Sequence, residues 1–191
     1  MKLAAKARRF EEAARLRNQI FALEHINDVA LLKTEAQSPK LKAGFRIEAY
    51  DVAHLSGKNM VGVMTVMEDG EINKKEYRTF NIKGQSGADD TRALEEVLSR
   101  RLRHTEWGMP DLVVGDGGEA QLRVIRQVLK RYQLEIPAVS VVKDARHKPK
   151  DILGDETYAK SEKKNILLAN SEAHRFSLKL HKNKRSKAFL K

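Results

Sequence analysis

Apolar and polar side chains alternate most clearly over residues 46–54, RIEAYDVAH, and this alternation predicts a β-strand. With the two-residue period of a strand, Ile47, Ala49 and Asp51 share one face. Asp51 therefore extends a mostly apolar row, where an unpaired carboxylate would be costly to bury. Two interpretations follow: Asp51 binds a cation, or it tips outward and caps the turn at residues 55–57.

Two further stretches, residues 60–68 and 75–82, also carry the pattern of strands. Asp69-Gly70 lies between them and is a strong hairpin signal. The sheet is therefore predicted to begin with three antiparallel strands.

The second half of the chain alternates strand-like and helical patterns. Residues 111–116 and 138–142 are almost continuously apolar, which is typical of strands covered on both faces. An amphipathic helix is predicted after the polar loop 83–90, and another over about 119–132. Residues 152–168 are weakly patterned and are predicted to be irregular, with Asn170 or Ser171 capping a final helix. The predicted fold class is α/β, a mixed sheet with an antiparallel start and later parallel strands, flanked by helices.

The N-terminal segment has a different composition. Residues 2–35 are rich in strong helix formers and nearly free of Gly and Pro. They predict a helical hairpin over residues 1–36, followed by a linker at 37–45 and a main domain at 46–191. Because so small a hairpin cannot bury its apolar rows alone, it is expected to dock on a partner, a second copy or the following domain.

Composition narrows the class of protein. The 191 residues carry 37 Lys+Arg against 26 Asp+Glu, a formal charge of +11, which favours a polyanionic partner such as nucleic acid. The chain has no cysteine, which excludes disulfides, a thiol nucleophile and a cysteine-based zinc site. Neither a bilayer-spanning apolar run nor a signal peptide is present, so no membrane partner and a cytoplasmic location are expected.

Three acids and a histidine are the candidates for chemistry. Asp51 and Asp116 lie near the ends of predicted strands, Asp90 opens a predicted helix, and His174 lies on the last helix. Carboxylate oxygens are the ligands that Mg²⁺ and Mn²⁺ prefer, and such a metal assists phosphoryl transfer. His174 is a candidate ligand, general base or general acid. A plain helix cap is the alternative for one of Asp89 and Asp90.

Basic residues cluster toward the C-terminus. From residue 175 to 191 the chain has seven Lys or Arg and no acid, which favours contact with phosphates over a merely solvated face. The residues predicted to contact DNA are Lys143, Arg146, Lys148, Arg175, Lys182, Lys184, Arg185 and Lys187.

The residues around these candidates form recognisable sequence motifs. In chain order they are YDVAHLSG at 50–57, YRTFNIKG at 77–84, ADD at 88–90, PDLVVGDGGEAQL at 110–122, EAHRF at 172–176 and HKNKRSK at 181–187. They resemble the C-terminal half of the UvrC family, the nuclease subunit of bacterial nucleotide excision repair. FEEAARLR at 10–17 resembles the UVR motif through which that family meets UvrB.

The resemblance implies an RNase H-like fold and metal-dependent incision of damaged double-stranded DNA, on the 5′ side of the lesion. Carried over by position, Asp51 and Asp116 match the family's metal-binding aspartates, Asp90 matches the second acid of its Asp-Asp pair, and His174 matches its essential histidine. Within the hairpin, the residues expected to contact UvrB are Phe10, Ala13, Leu16 and Ile20.

The family also has segments without a counterpart here. Its full-length members carry a GIY-YIG domain, which makes the 3′ incision, and a helix-hairpin-helix domain. The chain is therefore expected to be a fragment or a reduced member. Two other functions stay open at this point: a non-catalytic adaptor that binds UvrB and DNA, and an RNase H-type nuclease that acts on another nucleic acid without UvrB.

Overall fold

The computed structural model describes residues 43–54, 60–82, 89–144 and 149–189, with the side chains of His54 and of residues 181–189 left out of the description. The predicted hairpin, most of the predicted linker and the loops at 55–59, 83–88 and 145–148 lie outside the described residues. So do the expected UvrB contacts Phe10, Ala13, Leu16 and Ile20.

The described strands form one seven-stranded mixed sheet. The strands are β1 Arg46–His54, β2 Met60–Glu68, β3 Glu71–Ile72, β4 Arg78–Ile82, β5 Leu112–Asp116, β6 Ala138–Lys143 and β7 Pro149–Gly154. Their order is β3-β2-β1-β5-β6-β7, and β4 also pairs with β2. Strand β1 is antiparallel to β2 over its whole length and parallel to β5 on its other side, and β6 is parallel to β5 and antiparallel to β7. The predicted mixed α/β class is confirmed.

The prediction of one strand over residues 75–82 was wrong at its start. Lys74–Glu76 form a 3-10 helix, and β4 begins only at Arg78. The side chain of Asn73 accepts a hydrogen bond from the backbone of Lys75, and a short strand, β3, pairs with β2 before it. Local capping by an Asn side chain thus outweighed the strand-like pattern.

Among the described residues, four α-helices cover the two faces of the sheet: α1 Asp90–Arg101, α2 Glu119–Arg131, α3 Glu156–Ser161 and α4 Lys163–Phe189. On one face, α1 and α2 pack on side chains that include Tyr50 and Val113. On the other face, α4 packs on a cluster that includes Ile47, Ala49 and Val114. Odd-numbered β1 residues and even-numbered β5 residues therefore face α4, and Asp51 and Asp116 continue these two rows.

Gly115 leaves room for a side chain of α2 on the sheet. A Cβ atom at this position would lie 2.7 Å from Cδ1 of Ile125 in α2, so the end of the Ile125 side chain would have to move. The glycine thus lets Ile125, in the helix that follows Asp116, pack on the strand that carries Asp116.

The prediction that residues 152–168 are irregular was wrong. They contain the end of β7, all of α3 and the start of α4, and Asn170 and Ser171 lie inside α4 instead of capping it. Ile166, Ala169 and Ala173 are buried against the sheet at helical spacing. The stripe is narrow and made largely of small residues, so its apolar signal in the sequence is weak.

A buried ionic network joins β1 to α1. Glu48 and Arg101 are both fully buried, and the guanidinium donates from Nε and Nη2 to the two carboxylate oxygens at 2.9 and 2.8 Å. The Tyr50 hydroxyl donates to the same carboxylate at 2.6 Å, and Arg46 Nε donates at 3.0 Å. The network holds the C-terminal end of α1 to β1, the strand that also carries Asp51.

Candidate metal centre

Asp51 and Asp116 lie side by side on the α4-facing side of the sheet. Tyr50 pairs with Gly115 in the parallel register of β1 and β5, so the next residue of each strand is one of the two aspartates. Their side chains are 12% and 14% exposed. Two largely buried carboxylates at adjacent positions require a cation or a proton between them.

His174 completes the cluster from α4. Its Nδ1 atom lies 3.7 Å from Oδ2 of Asp51 and 3.7 Å from Oδ2 of Asp116. Each of the three residues offers one potential ligand atom, and these three atoms all lie within 4.8 Å of one another. The structure thus brings together three predicted site residues that are up to 123 positions apart in the chain.

The surroundings of the Nδ1 atom of His174 show whether a metal ion fits this site. This atom is buried, and it has no hydrogen-bond partner within the part of the chain that the structure describes. A buried ring nitrogen without a partner, facing two carboxylate oxygens, is the donor set of a divalent cation site. The residues present therefore fit a bound metal ion.

The two aspartates have opposite pKa shifts. Burial alone would raise the pKa of Asp51, but the nearby His174, the Ser177 hydroxyl and Lys143 outweigh it, so that its pKa is lowered. Burial and the negative charge of Asp51 raise the pKa of Asp116, although Lys143 opposes that shift. The pair is thus arranged so that one carboxylate ionises readily and the other needs a positive neighbour to do so.

Lys143 supplies such a neighbour. It is the last residue of β6, and its Nζ atom donates to Oδ2 of Asp116 at 2.7 Å. The sequence placed Lys143 among the DNA contacts; the structure places it in the cleft, on the same face of the sheet as the two aspartates. Its ammonium group lies at the position where a cation would bind Asp116.

Asp90 lies at the rim of the same cleft. The cleft has a volume of about 370 Å³, and its lining includes Asp51, Asp90, Asp116, Lys143 and His174. Asp90 is the exposed first residue of α1 and is not one of the three clustered ligands. Asp89 is the helix cap, since its side chain accepts hydrogen bonds from the backbone N–H groups of Thr91 and Arg92, two and three positions further along the chain.

The turn after Asp116 shapes the other wall. Gly117 has a φ of +136°, and a Cβ there would lie 2.7 Å from the Gln121 side chain. Gln121 accepts a hydrogen bond from the backbone of Gly118, and Ser140 donates to the carbonyl of Gly117 at 3.0 Å. The positive end of α2 consequently opens on the cleft, where it favours negative charge.

Two supporting residues were missed in the sequence. Ser177 is buried and donates to Asp51, and Ser140 holds the glycine turn. The spacing of Ser177 three residues after His174, on one face of α4, was a usable signal. For Ser140 no sequence signal pointed to the turn, because its partner lies 23 residues away in the chain.

Arg175, another predicted DNA contact, is engaged with its own helix. Its Nε atom donates to Oε2 of Glu172 at 2.6 Å, and its Nη2 atom contacts the other carboxylate oxygen. The Tyr77 hydroxyl donates to the same carboxylate at 2.8 Å, and the Tyr77 ring packs on Phe176. These contacts tie the helix that carries His174 to the segment before β4.

The remaining predicted DNA contacts are not described. Arg146 and Lys148 lie outside the described residues. The side chains of four others, Lys182, Lys184, Arg185 and Lys187, also lie outside the description, although the backbone there belongs to α4. These six stay predictions.

Comparison with known families covers nearly the whole chain. The family model of the UvrC RNase H endonuclease domain matches residues 36–187, and that of the UvrB/UvrC motif matches residues 1–26. The UvrABC system protein C of Caldicellulosiruptor saccharolyticus is 39% identical over 149 residues, which are 74% of this chain and 25% of that protein. The protein of the same name from Oenococcus oeni is 31% identical over 199 residues, covering 100% of this chain and 32% of its own length. The chain thus spans about a quarter to a third of these relatives.

Among solved structures, endonuclease V from Streptomyces avermitilis has a similar fold. The TM-score is 0.51 at 13% sequence identity, with 87% of this chain and 93% of that chain covered. This likeness agrees with the RNase H-like fold expected from the sequence motifs. Among the described helices, none combines the length and the apolar character that crossing a membrane requires.

Proposed function

The chain belongs to the UvrC family, and on that premise we propose that it is a metal-dependent endonuclease module that makes the 5′ incision in damaged double-stranded DNA. The observation that carries the proposal is the cluster of Asp51, Asp116 and His174, whose ligand atoms lie within 4.8 Å of one another. Buried carboxylates at the rim of a sheet, beside an imidazole nitrogen that has no hydrogen-bond partner among the described residues, suit phosphodiester hydrolysis with a divalent ion.

We propose Mg²⁺ or Mn²⁺ as the cofactor, held by Asp51 and Asp116, with Asp90 at the rim for a second ion or for a bound water. Oxygen ligands favour these hard ions over softer metals. Once bound, such an ion lowers the pKa of a water and neutralises charge on the phosphate under attack. The protein's own contribution is to hold the two carboxylates close together and largely buried, with Lys143 as the positive neighbour of Asp116.

His174 is proposed to carry a proton or to act as a third ligand. Its Nδ1 atom faces both aspartates, so the imidazole can take a proton from water near the metal or stabilise the leaving oxygen. Tyr77 and Arg175 hold Glu172 on the same helix, and this attachment limits movement of the ring.

The partners proposed are damaged DNA and UvrB. The charge of +11 suits the phosphate backbone, and the UvrB/UvrC motif at residues 1–26 is the proposed contact with UvrB. We further propose the division into a UvrB-binding hairpin at 1–36, a linker at 37–45 and a nuclease domain at 46–191. A DNA repair nuclease of bacteria would act in the cytoplasm, where the chromosome lies.

Nicking of a damaged duplex, with UvrB and with Mg²⁺ or Mn²⁺, tests the proposal. We expect Asp51→Ala and His174→Ala to abolish the nick while the circular dichroism spectrum is unchanged. Leu178→Ala is the control, since Leu178 lies on the same helix and is 38% exposed. A purified Asp51→Ala protein that still nicks the duplex would exclude the proposed site.

One observation favours a second function, a non-catalytic adaptor for UvrB and DNA. Lys143 already provides a cation to Asp116 at 2.7 Å, so the acidic cluster is partly neutralised without a metal. Titration of Mn²⁺ by calorimetry separates the two, because an adaptor of this kind would bind no ion and Asp116→Asn would change nothing.

A further inference from the structure

Beyond the cleft, the outer face of α2 carries a row of cations. Arg123, Arg126 and Lys130 are exposed and follow one another at helical spacing, while Leu122, Ile125 and Leu129 on the opposite side are buried. The row was not among the DNA contacts predicted from the sequence. Its spacing places three positive groups on one face along about 10 Å of helix.

The row begins beside the proposed active site. Gly118, the cap of α2, lines the cleft that holds Asp116, and the next residue, Glu119, opens a groove of about 230 Å³ along the helix. This groove is lined by Glu119, Arg123, Arg126, Gln127 and Lys130. From Gly118 to Lys130 the helix extends about 18 Å, which matches about five base-pair steps of a duplex.

These cations differ from others in the same layer because the described residues give them no acidic partner. Arg100 lies 3.2 Å from Glu96, and Arg131 lies 2.8 Å from Glu95. Within the described part of the chain, Arg123, Arg126 and Lys130 form no ion pair. Glu119 is the acid of this groove, and its place in the first turn of α2 is favourable for the helix itself.

We propose that Arg123, Arg126 and Lys130 form a phosphate-binding track that holds the DNA backbone as it leaves the cleft. Three cations in line on one helix, none paired with an acid among the described residues, suit a regular chain of phosphates, to which they contribute affinity without sequence preference. The inference rests on the proposed nuclease function for the identity of the ligand. An apolar protein partner would have little use for three cations in a row.

Salt dependence of DNA binding tests the track. The affinity of the full chain for a fluorescein-labelled duplex of mixed sequence is measured by anisotropy at several salt concentrations, with EDTA and without metal. For Arg123→Gln/Arg126→Gln/Lys130→Gln we expect the slope of log affinity against log salt to become shallower by about 2 to 3, since each phosphate contact contributes about 0.9.

A matched control separates the track from net charge. Arg100→Gln/Arg131→Gln/Lys160→Gln also removes two arginines and one lysine, but each of these is paired with an acid, including Lys160 with Glu156 at 3.1 Å. We expect its slope to stay within about 0.5 of the wild type, because an exposed cation already paired with an acid adds little phosphate contact. Equal slopes for both variants would overturn the track, and so would a track variant that binds DNA like the wild type.

Nicking kinetics distinguish the track from the active site. We expect the track variant to raise KM about tenfold or more while kcat at saturating DNA stays within a factor of two. If wild-type protein fails to nick under any metal condition, the nuclease proposal fails. The metal-free binding comparison still shows whether the track binds the DNA backbone. A fall in kcat with unchanged KM would place these residues in the chemistry and would overturn the proposed binding role.

Discussion

The ammonium group of Lys143 lies 2.7 Å from Oδ2 of Asp116, on the side of the sheet where His174 approaches the same oxygen at 3.7 Å. Both partners are largely buried, with side-chain exposures of 18% and 14%. An ion that binds Asp116 must therefore share its carboxylate with Lys143 or displace the lysine.

Competition between Lys143 and a metal leads to the first prediction. Lys143→Gln should strengthen Mn²⁺ binding about fivefold, the scale of an ion pair worth about 1 kcal/mol. Calorimetry on the purified chain measures the change, and Lys160→Gln, which removes an exposed and remote cation, is the control. Unchanged affinity would mean that the lysine and the metal use different oxygens.

The second prediction concerns pH. Burial raises the pKa of Glu172, but the hydrogen bonds from Arg175 and Tyr77 outweigh it, so its pKa is lowered from the ordinary value of 4.5. A lowered pKa in the folded state means that the charged network stabilises the protein above the unfolded-state pKa. This stability is lost as the pH falls through the lowered value.

Glu172→Gln should therefore reduce the free energy of unfolding by about 1–3 kcal/mol at pH 7, the cost of disturbing a buried charged hydrogen bond. The difference from the wild type should shrink toward pH 3. Urea unfolding at the two pH values tests this, and Glu156→Gln, on the exposed Lys160 pair, serves as the control. An equal loss of unfolding free energy at both pH values would indicate that Glu172 stabilises the protein by packing and not by its charge.

The third prediction concerns the buried pair of Glu48 and Arg101. Arg101→Met leaves the Glu48 carboxylate buried with its main partner removed, and it should destabilise the chain by about 3–5 kcal/mol. The double variant Glu48→Leu/Arg101→Met removes both charges and should recover much of that loss. Thermal unfolding followed by circular dichroism compares the three proteins. Additive losses in the double variant would argue against a direct energetic coupling.

The fourth prediction concerns the N-terminal segment and UvrB. Deletion of residues 1–36 should abolish retention of the chain by immobilised UvrB, and Phe10→Ala should weaken it, because an apolar hairpin row would bury its side chains on a partner. Mn²⁺ binding by the deletion variant, measured by calorimetry, shows that the remaining domain is intact. UvrB binding that survives the deletion would move the contact to the rest of the chain.

The sequence by itself determined the order and type of most elements. Alternation over residues 46–54 and the continuous apolar run before Asp116 are local patterns, and the strands they predict were confirmed. Counting by two along β1 was enough to place Asp51 on the same face as Ile47 and Ala49. Their positions at strand or helix ends made Asp51, Asp90 and Asp116 candidates, with His174 on the last helix, and the family motifs matched the same four. The structure brings three of the four into one cluster with Asp90 at its rim.

Only the tertiary structure decided which distant groups meet. The pairing of Lys143 with Asp116, the Ser177 hydrogen bond to Asp51 and the ion pair of Glu48 with Arg101 depend on strand order and helix docking, which no local pattern encodes. The early start of α4 has the same origin, since its small buried residues gain their stabilisation from the sheet beneath them and not from helix propensity. Local side-chain periodicity is a property of neighbouring residues, whereas a charge's partner is set by contacts across the whole fold.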